Sequence, residues 1–218
     1  MIVYNASYRL FEIVLNDLKS VIEETNVFCL TEMNKLKEQA KTMSIEEIEF
    51  RVMDEFHYYE NTFTKINNNM YFVSIVAEFE VFLKRTCNIY AKKHSLPLLS
   101  TNGRESLADK VKDFIKSINS PFDFNRKDWA MILAYTKIRN IMIHADADYQ
   151  ALESNEAQII DKNPAFHIET INYEDINGNQ ITEKESFYIH DKSFLSTFIM
   201  TILHFSKDFQ ESLATMDV

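Results

Sequence analysis

The stretch WAMILAYTKIRNIMIH, residues 129–144, decides the fold of this chain. Apolar side chains occupy most of its positions, so a helix over these residues is apolar nearly all round. Such a helix belongs at the centre of a bundle or at a subunit interface, because only there can every face be buried. We therefore predict a central helix over about 129–143, with Asp128 as its N-terminal cap.

The composition agrees with a mostly helical protein. Only two glycines and three prolines occur among 218 residues, and so few turn formers favour long helices over a many-stranded sheet. Hydrophobic residues make up 46% of the chain, which is enough to bury a substantial core. We predict an all-α fold in a single domain over 1–218, a bundle of long helices with one small β-hairpin.

Helical periodicity extends through most of the chain. Ser44 and Glu47 match a capping box, so a helix is predicted to begin near Ile45, and the asparagines at 67–69 are predicted to break it. The predicted parts are N-terminal long helices over 8–66, a core over about 71–146, the hairpin over 165–190 and a C-terminal helix over 192–214.

The hairpin prediction depends on residues 165–190. Two runs rich in β-branched and aromatic residues flank Asn177-Gly178, a dipeptide typical of tight hairpin turns. An isolated hairpin is only marginally stable in water. We therefore expect this one to pack on the helices or on a partner chain.

Charge and cysteine usage limit the classes of function. A formal charge of −10 argues against a general nucleic-acid binder, but it leaves room for a local RNA site in a cleft. Cys29 and Cys87 lie in apolar helical contexts without metal-ligand spacing, so we interpret them as reduced core thiols. No secretory leader and no run of 18 apolar residues is found, and we expect a cytoplasmic protein with no membrane span, metal or cofactor.

Arg139, Asn140 and His144 are polar residues near the C-terminal end of this apolar helix. Asn140 and His144 are four residues apart and share a helix face, while Arg139 lies about 100° around the helix with a side chain long enough to reach them. Arg51 and His57 have a similar spacing in RVMDEFH, but on one helix they point to different sides, and we interpret that match as incidental.

A guanidinium in an apolar helix needs a counter-charge, because burial of an unpaired charge is costly. Glu80, in SIVAEFEVFLKR (residues 74–85), lies on or beside the core-facing side of another predicted helix and is the expected partner of Arg139. Glu78 is the second choice. A purely structural interpretation is also open, since a histidine is favoured at a helix C-terminus and an arginine can extend out of a core helix.

KIRNIMIH, residues 137–144, resembles the Arg-polar-x-x-x-His signature of HEPN domains, and SIVAEFEVFLKR resembles the helix that supplies an acidic residue in that family. The resemblance implies a helical bundle that forms a homodimer and brings two Arg/His sets into one cleft. It also implies a metal-independent endoribonuclease acting on single-stranded RNA, of a kind often found as toxins or phage-defence effectors with an antitoxin or other protein partner.

The resemblance further assigns roles to single residues. His144 would be the general acid or base, Arg139 would stabilise charge on the scissile phosphate, Asn140 would position the phosphate or fix the imidazole tautomer, and Glu80 would hold Arg139. The implied product is a 2′,3′-cyclic phosphate. One subgroup of the family has a tyrosine two residues after the histidine, where this chain has Asp146.

Other interpretations stay open. A non-catalytic helical module for dimerisation, or for nucleotide or protein binding, would use the same fold, and a plain bundle would use the Arg–Glu pair only to fix helix register. Asp146 and Asp148 are expected to be capping or solvated residues. The aromatic segment EFHYYENTF, residues 55–63, is interpreted as core and interface packing, and Arg126 with Lys127 as a charged helix start.

Overall fold

The computed structural model describes residues 2–99, 106–174, 176 and 179–216, and the side chains from residue 5 onward. The described chain is mostly helical with one small antiparallel sheet, which confirms the predicted bundle and hairpin. The elements are α1 (Ile2–Ala40), α2 (Ile45–Arg51), α3 (Met53–His57), a π-helical segment (Tyr58–Phe63), α4 (Thr64–Lys93), α5 (Leu107–Ser117), α6 (Lys127–His144), a 3-10 turn (Tyr149–Ala151), α7 (Ser154–Lys162), β1 (Phe166–Glu174), β2 (Gln180–Ile189) and α8 (Ser193–Thr215).

Helix α1 lies along α4 and α8 through a narrow seam. Leu15, Ile22, Cys29 and Leu36 recur every seven residues and are all buried. This spacing keeps one side of a long helix on its neighbour, as in a coiled coil. Residues beside the seam, such as Phe28, face solvent instead, although the sequence pattern counts them with the apolar face.

Helices α4, α6 and α8 enclose the core, where aromatic rings from α4 and α8 interlock. Helix α6 buries one face, with Trp129, Ile132, Tyr135 and Ile138 each at most 6% exposed. Its opposite face carries Ile143, which is 42% exposed. Within a single chain α6 is therefore buried on one side, and its open, partly apolar face leaves the second predicted setting, a subunit interface.

The predicted helix over 45–66 is also wrong. The capping box at Ser44 and Glu47 is confirmed, and a helix begins at Ile45. Helix α2 ends at Arg51, however, and α3 and the π-helical segment follow, because Val52 turns inward and is buried between two exposed stretches. In the π-helical segment no residue is buried. The aromatic segment 55–63 thus forms a surface cluster and not the predicted core packing.

The asparagines at 67–69 do not break a helix. Helix α4 runs straight through them: Asn67 Nδ2 donates to the Phe63 carbonyl one turn earlier, and the side chains of Asn68 and Asn69 bond to the hairpin. Asn68 Nδ2 donates to the carbonyl of Ile189 at 3.0 Å, and Asn69 Oδ1 accepts from the Ile189 N–H at 3.1 Å. These polar residues connect the hairpin to the helical core.

Strands β1 and β2 pair in antiparallel register from Phe166 with Ile189 to Glu174 with Gln180. The predicted turn residues Asn177-Gly178 lie outside the described residues. Besides the asparagine contacts, Lys65 Nζ lies 2.7 Å from Glu169 Oε1 and joins α4 to the hairpin. The expectation that the hairpin packs on the helices is confirmed.

The predicted N-terminal cap of α6 needs correction. Helix α6 begins at Lys127, so Asp128 lies inside its first turn and is not the N-cap residue. Asp128 instead binds Arg126, which also contacts Asp208, and Arg126 is thereby neutralised. Helix α7 was not predicted. In the described part of the chain, no helix combines the length and apolar character needed to cross a bilayer.

Candidate active site

The predicted Arg139–Glu80 pair is present and joins α6 to α4. Arg139 Nη2 lies 2.5 Å from Glu80 Oε2, and the two side chains are 12% and 30% exposed. Nε and Nη2 of Arg139 are fully buried without a well-aligned hydrogen bond, so their positive charge depends on Glu80 for compensation. Helix α6 brings Arg139 to this position because the residue flanks Ile138, which is completely buried.

Asn140 and His144 lie on the open face of α6 and are exposed. One helical turn separates them, which places their Cβ atoms about 5–6 Å apart. No described residue forms a hydrogen bond or ion pair with either side chain, so both are free to contact a ligand. Arg139 is therefore held by an ion pair with Glu80, while the Asn140 and His144 side chains have no hydrogen-bond or ion-pair partner among the described residues.

A sharp turn follows His144 and connects the site to the hairpin. Asp146 and Ala147 adopt positive φ values of 49° and 58°, in the left-handed region. The Ala147 N–H donates to the Ile141 carbonyl at 3.2 Å, and the Ala147 carbonyl accepts from the Phe187 N–H at 3.1 Å. The second hairpin strand thus fixes the end of α6, and with it the position of His144.

The two acidic residues beyond His144 do not converge on it. The Asp148 carboxylate accepts from the Gln150 N–H at 2.8 Å and caps the short 3-10 turn, which confirms the predicted capping role. Asp146 is exposed and solvated. Only Asp146 remains as an uncompensated negative charge within two residues of His144.

Lys137 is a site residue that the sequence reasoning missed. It lies one turn before Asn140 on the open face of α6, and its Nζ is 3.1 Å from Glu153 and 3.2 Å from Glu156. Glu156 is buried, and its Oε2 has no hydrogen-bond partner among the described residues. Glu156 lies in α7 and Glu153 directly precedes it, so no signal in the sequence indicated the contact. The Glu153 and Glu156 carboxylates raise the pKa of Lys137 and keep it charged.

A pocket of about 390 Å³ opens beside these residues. Glu80, Arg139, Asn140 and Lys137 contribute to its walls, and the first turn of α5 closes the opposite side. His144 lies one turn farther along α6, outside this pocket. The candidate site thus consists of a pocket next to Arg139 and an exposed imidazole on the adjacent surface.

The competing Arg–His match has a different environment. Arg51 ends α2 and His57 ends α3, with the buried Val52 between the two helices. His57 Nδ1 is 2.9 Å from Asn61 Nδ2, so its imidazole already has a local partner. No carboxylate holds Arg51 in an ion pair within the described residues. The structure therefore supports the interpretation of the Arg51–His57 match as incidental.

The described residues include no group of three or more histidine, cysteine or acidic side chains arranged to hold a metal ion. Cys29 and Cys87 are both buried and unpaired with each other. Burial raises the pKa of the Cys87 thiol to about 12, which makes it chemically inert at neutral pH. The predicted assignment of both cysteines to the interior is confirmed.

No family model, curated protein or solved structure matches this chain.

Proposed function

We propose that this protein is a metal-independent endoribonuclease of the HEPN type, with Arg139, Asn140 and His144 at its active site. The observation that carries the proposal is the combination of a guanidinium fixed by Glu80 and a free imidazole on the same helix. An imidazole titrates near neutrality and suits proton transfer, and a guanidinium binds phosphate oxygens while keeping its charge.

The proposed reaction is transesterification within the RNA. The neutral His144 imidazole accepts the proton of a ribose 2′-hydroxyl, and the resulting oxygen attacks the adjacent phosphorus. Arg139 stabilises the extra negative charge on the phosphate oxygens, and Asn140 donates a hydrogen bond to one of them. The bond from phosphorus to the 5′-oxygen breaks, and the products are a 2′,3′-cyclic phosphate and a 5′-hydroxyl end.

The leaving 5′-oxygen needs a proton from a second acid. Among the described residues, His144 is the one histidine on this face of α6, so we propose that the acid is His144 of the partner subunit in a homodimer. An exposed apolar stripe supports a dimer: Ile66, Met70 and Val81 follow one side of α4, and Ile143 adds to it from α6. Because α4 and α6 are neighbouring helices, a second subunit can bury these exposed apolar side chains together.

Cleavage of a labelled single-stranded RNA in excess chelator tests the proposal. Wild-type protein should cut it, and His144→Ala should abolish cutting while leaving the circular dichroism spectrum and unfolding midpoint unchanged. His57→Ala is the matched control, because His57 is an exposed histidine in the competing motif. Cleavage that survives His144→Ala, or that stops when chelator is added, would contradict the mechanism.

A mixing experiment tests the shared cleft. Wild-type and His144→Ala chains are unfolded together in equal amounts and refolded, so that subunits exchange at random. If each site needs both histidines, about a quarter of the wild-type activity should remain, and about half should remain if each subunit acts independently with its own histidine. Activity proportional to the wild-type fraction would therefore refute the two-histidine scheme.

A second candidate function is a non-catalytic dimerisation or binding module. The deep burial of Arg139 favours it, because an ion pair at this depth also serves to fix the register of α4 and α6. In that case the protein would form a stable dimer or bind a protein partner such as an antitoxin, without RNA cleavage. A sedimentation experiment showing a dimer, together with intact RNA after prolonged incubation, would favour this alternative.

A further inference from the structure

The pocket beside Arg139 is also lined by residues that take no part in the reaction described above. Its volume of about 390 Å³ lies within the range of pockets that bind small ligands. Leu133 on α6 and Leu107 on α5 supply apolar walls, while Asp109 and Lys137 supply charges of opposite sign. A flat, polar-edged ligand fits such a lining better than a purely apolar or a purely ionic one.

Asp109 presents an acceptor at the rim of the pocket. Its Oδ2 accepts from Ser106 Oγ at 2.7 Å, and its own N–H donates to that hydroxyl oxygen at 3.1 Å, which caps α5. Oδ1 has no partner among the described residues, and the side chain is exposed. An ionised carboxylate accepts hydrogen bonds and donates none. A ligand facing it must therefore offer N–H or O–H donors.

Lys137 presents a donor in the same pocket. Its ammonium has three N–H groups, and Glu153 and Glu156 account for two of them. One donor remains for a ligand, while the two glutamates hold the nitrogen in place. The pocket thus combines a fixed donor with a free carboxylate oxygen.

The two cations of the lining are already paired, Arg139 with Glu80 and Lys137 with two glutamates, so Asp109 is left as the lining charge without an ion-pair partner among the described residues and would repel a second phosphate group. A nucleobase is neutral and avoids that repulsion. Single-stranded RNA is commonly recognised through hydrogen bonds to the exposed edges of unstacked bases. The charge pattern therefore favours a base over a phosphate.

We propose that this pocket binds a guanine base of the RNA next to the scissile phosphate, an assignment that rests on the proposed ribonuclease function. The adjacent N1–H and N2–H donors of guanine match the Asp109 carboxylate, and its O6 accepts from Lys137. Uracil presents carbonyl oxygens on both sides of its single N–H and is disfavoured by a carboxylate. Asp109 is a specificity residue in this scheme and takes no part in proton transfer.

Binding of guanosine 5′-monophosphate and uridine 5′-monophosphate, measured by calorimetry, tests the pocket without any need for cleavage. The wild-type protein should bind the guanosine nucleotide about tenfold more tightly, as expected for one paired hydrogen-bonding edge. Asp109→Asn keeps an oxygen for the Ser106 hydroxyl but replaces the second acceptor with donors, and it should remove the preference.

Asp113→Asn is the matched control. It removes the same charge from α5 at an exposed position whose carboxylate lies 3.9 Å from Lys116, outside the pocket. This variant should keep the preference for guanosine. Equal binding of both nucleotides by the wild type, or a preference that survives Asp109→Asn, would overturn the assignment.

Cleavage of RNAs that differ at one base beside the cut site separates the two proposals. Guanosine binding without cleavage would refute the ribonuclease and leave the base pocket. Cleavage with no preference for guanine, combined with equal nucleotide binding, would leave the ribonuclease and refute the pocket. Cleavage that prefers guanine and loses the preference in Asp109→Asn would support both.

Discussion

The Arg139–Glu80 pair should show strong energetic coupling in a double-mutant cycle. Glu80→Met, Arg139→Met and the double variant keep most of the side-chain volume and remove one or both charges. The expected costs differ, because the guanidinium is 12% exposed and the carboxylate 30% exposed. Removal of the carboxylate leaves the more deeply buried charge without compensation.

The magnitudes follow from these exposures. Glu80→Met should lower the free energy of unfolding by about 3 kcal/mol, at the lower end of the cost of breaking a buried ion pair. Arg139→Met leaves a carboxylate that water can still reach, and it should cost about 1.5 kcal/mol, between the buried and surface cases. The double variant leaves no buried charge, so it should be no less stable than Arg139→Met, and the coupling energy should be about 3 kcal/mol.

Urea unfolding followed by circular dichroism measures these differences, provided that the slope of free energy against denaturant stays constant across the variants. The measurement should be repeated at a second protein concentration, since dimerisation would add to the apparent stability. If the two single costs simply add in the double variant, Arg139 and Glu80 are not coupled, and the account of a charge held by its partner is refuted.

Three further predictions concern the rest of the fold. Neither Cys29 nor Cys87 should react with a thiol reagent at about pH 8 in the native protein, and Cys87 should be the slower, because at a pKa of about 12 only about 10⁻⁴ of it is thiolate. Rapid native labelling of Cys87 would contradict its burial. Lys65 lowers the pKa of Glu169 below its usual 4.5, so the pair should stabilise the protein above that pH and lose its effect as the pH falls through the lowered pKa. Urea unfolding of wild type and Lys65→Met should therefore differ at about pH 7 and converge at about pH 3, and a difference that persists in acid would contradict this reasoning. Asn68→Leu should cost about 1–3 kcal/mol in the same assay, because it leaves a buried carbonyl of the second hairpin strand without a donor. No measurable loss would mean that this side chain does not hold the hairpin.

The sequence predicted those elements whose signals are local. The capping box at Ser44 and the alternating runs around 165–190 each depend on a few neighbouring residues, and both predictions are confirmed. The asparagines at 67–69 failed as a helix break because the partners of Asn68 and Asn69 lie more than a hundred residues away, while Asn67 bonds within the helix. A local pattern cannot show that a polar side chain will be satisfied by a distant strand. The break at Val52 likewise depends on burial against another helix.

The predictions for the candidate site also succeeded where the signal was visible in the sequence and failed where it depended on distant contacts. Arg139 and Glu80 were predicted as a pair because a charge in an apolar helix requires compensation, and that requirement is visible in the sequence. Lys137 was missed because its partners lie in and directly before α7, a short and polar helix that was not predicted. The setting of α6 was left undecided, since its apolar residues do not reveal whether a core or a second subunit covers them.

The open face of α6 fits both alternatives for function. A dimer formed through the apolar stripe of α4 and α6 would bury it whether or not the protein cuts RNA, so the oligomeric state alone cannot separate an enzyme from a binding module. The ion pair cannot separate them either, because a register-fixing pair and a phosphate-binding arginine both need Glu80. His144 differs from both features, since no described residue forms a hydrogen bond or ion pair with its side chain, and its exposed position in the last turn of α6 gives the fold only a small favourable interaction with the helix dipole. An effect of His144→Ala on RNA cleavage, with stability unchanged, would therefore come from chemistry and not from packing.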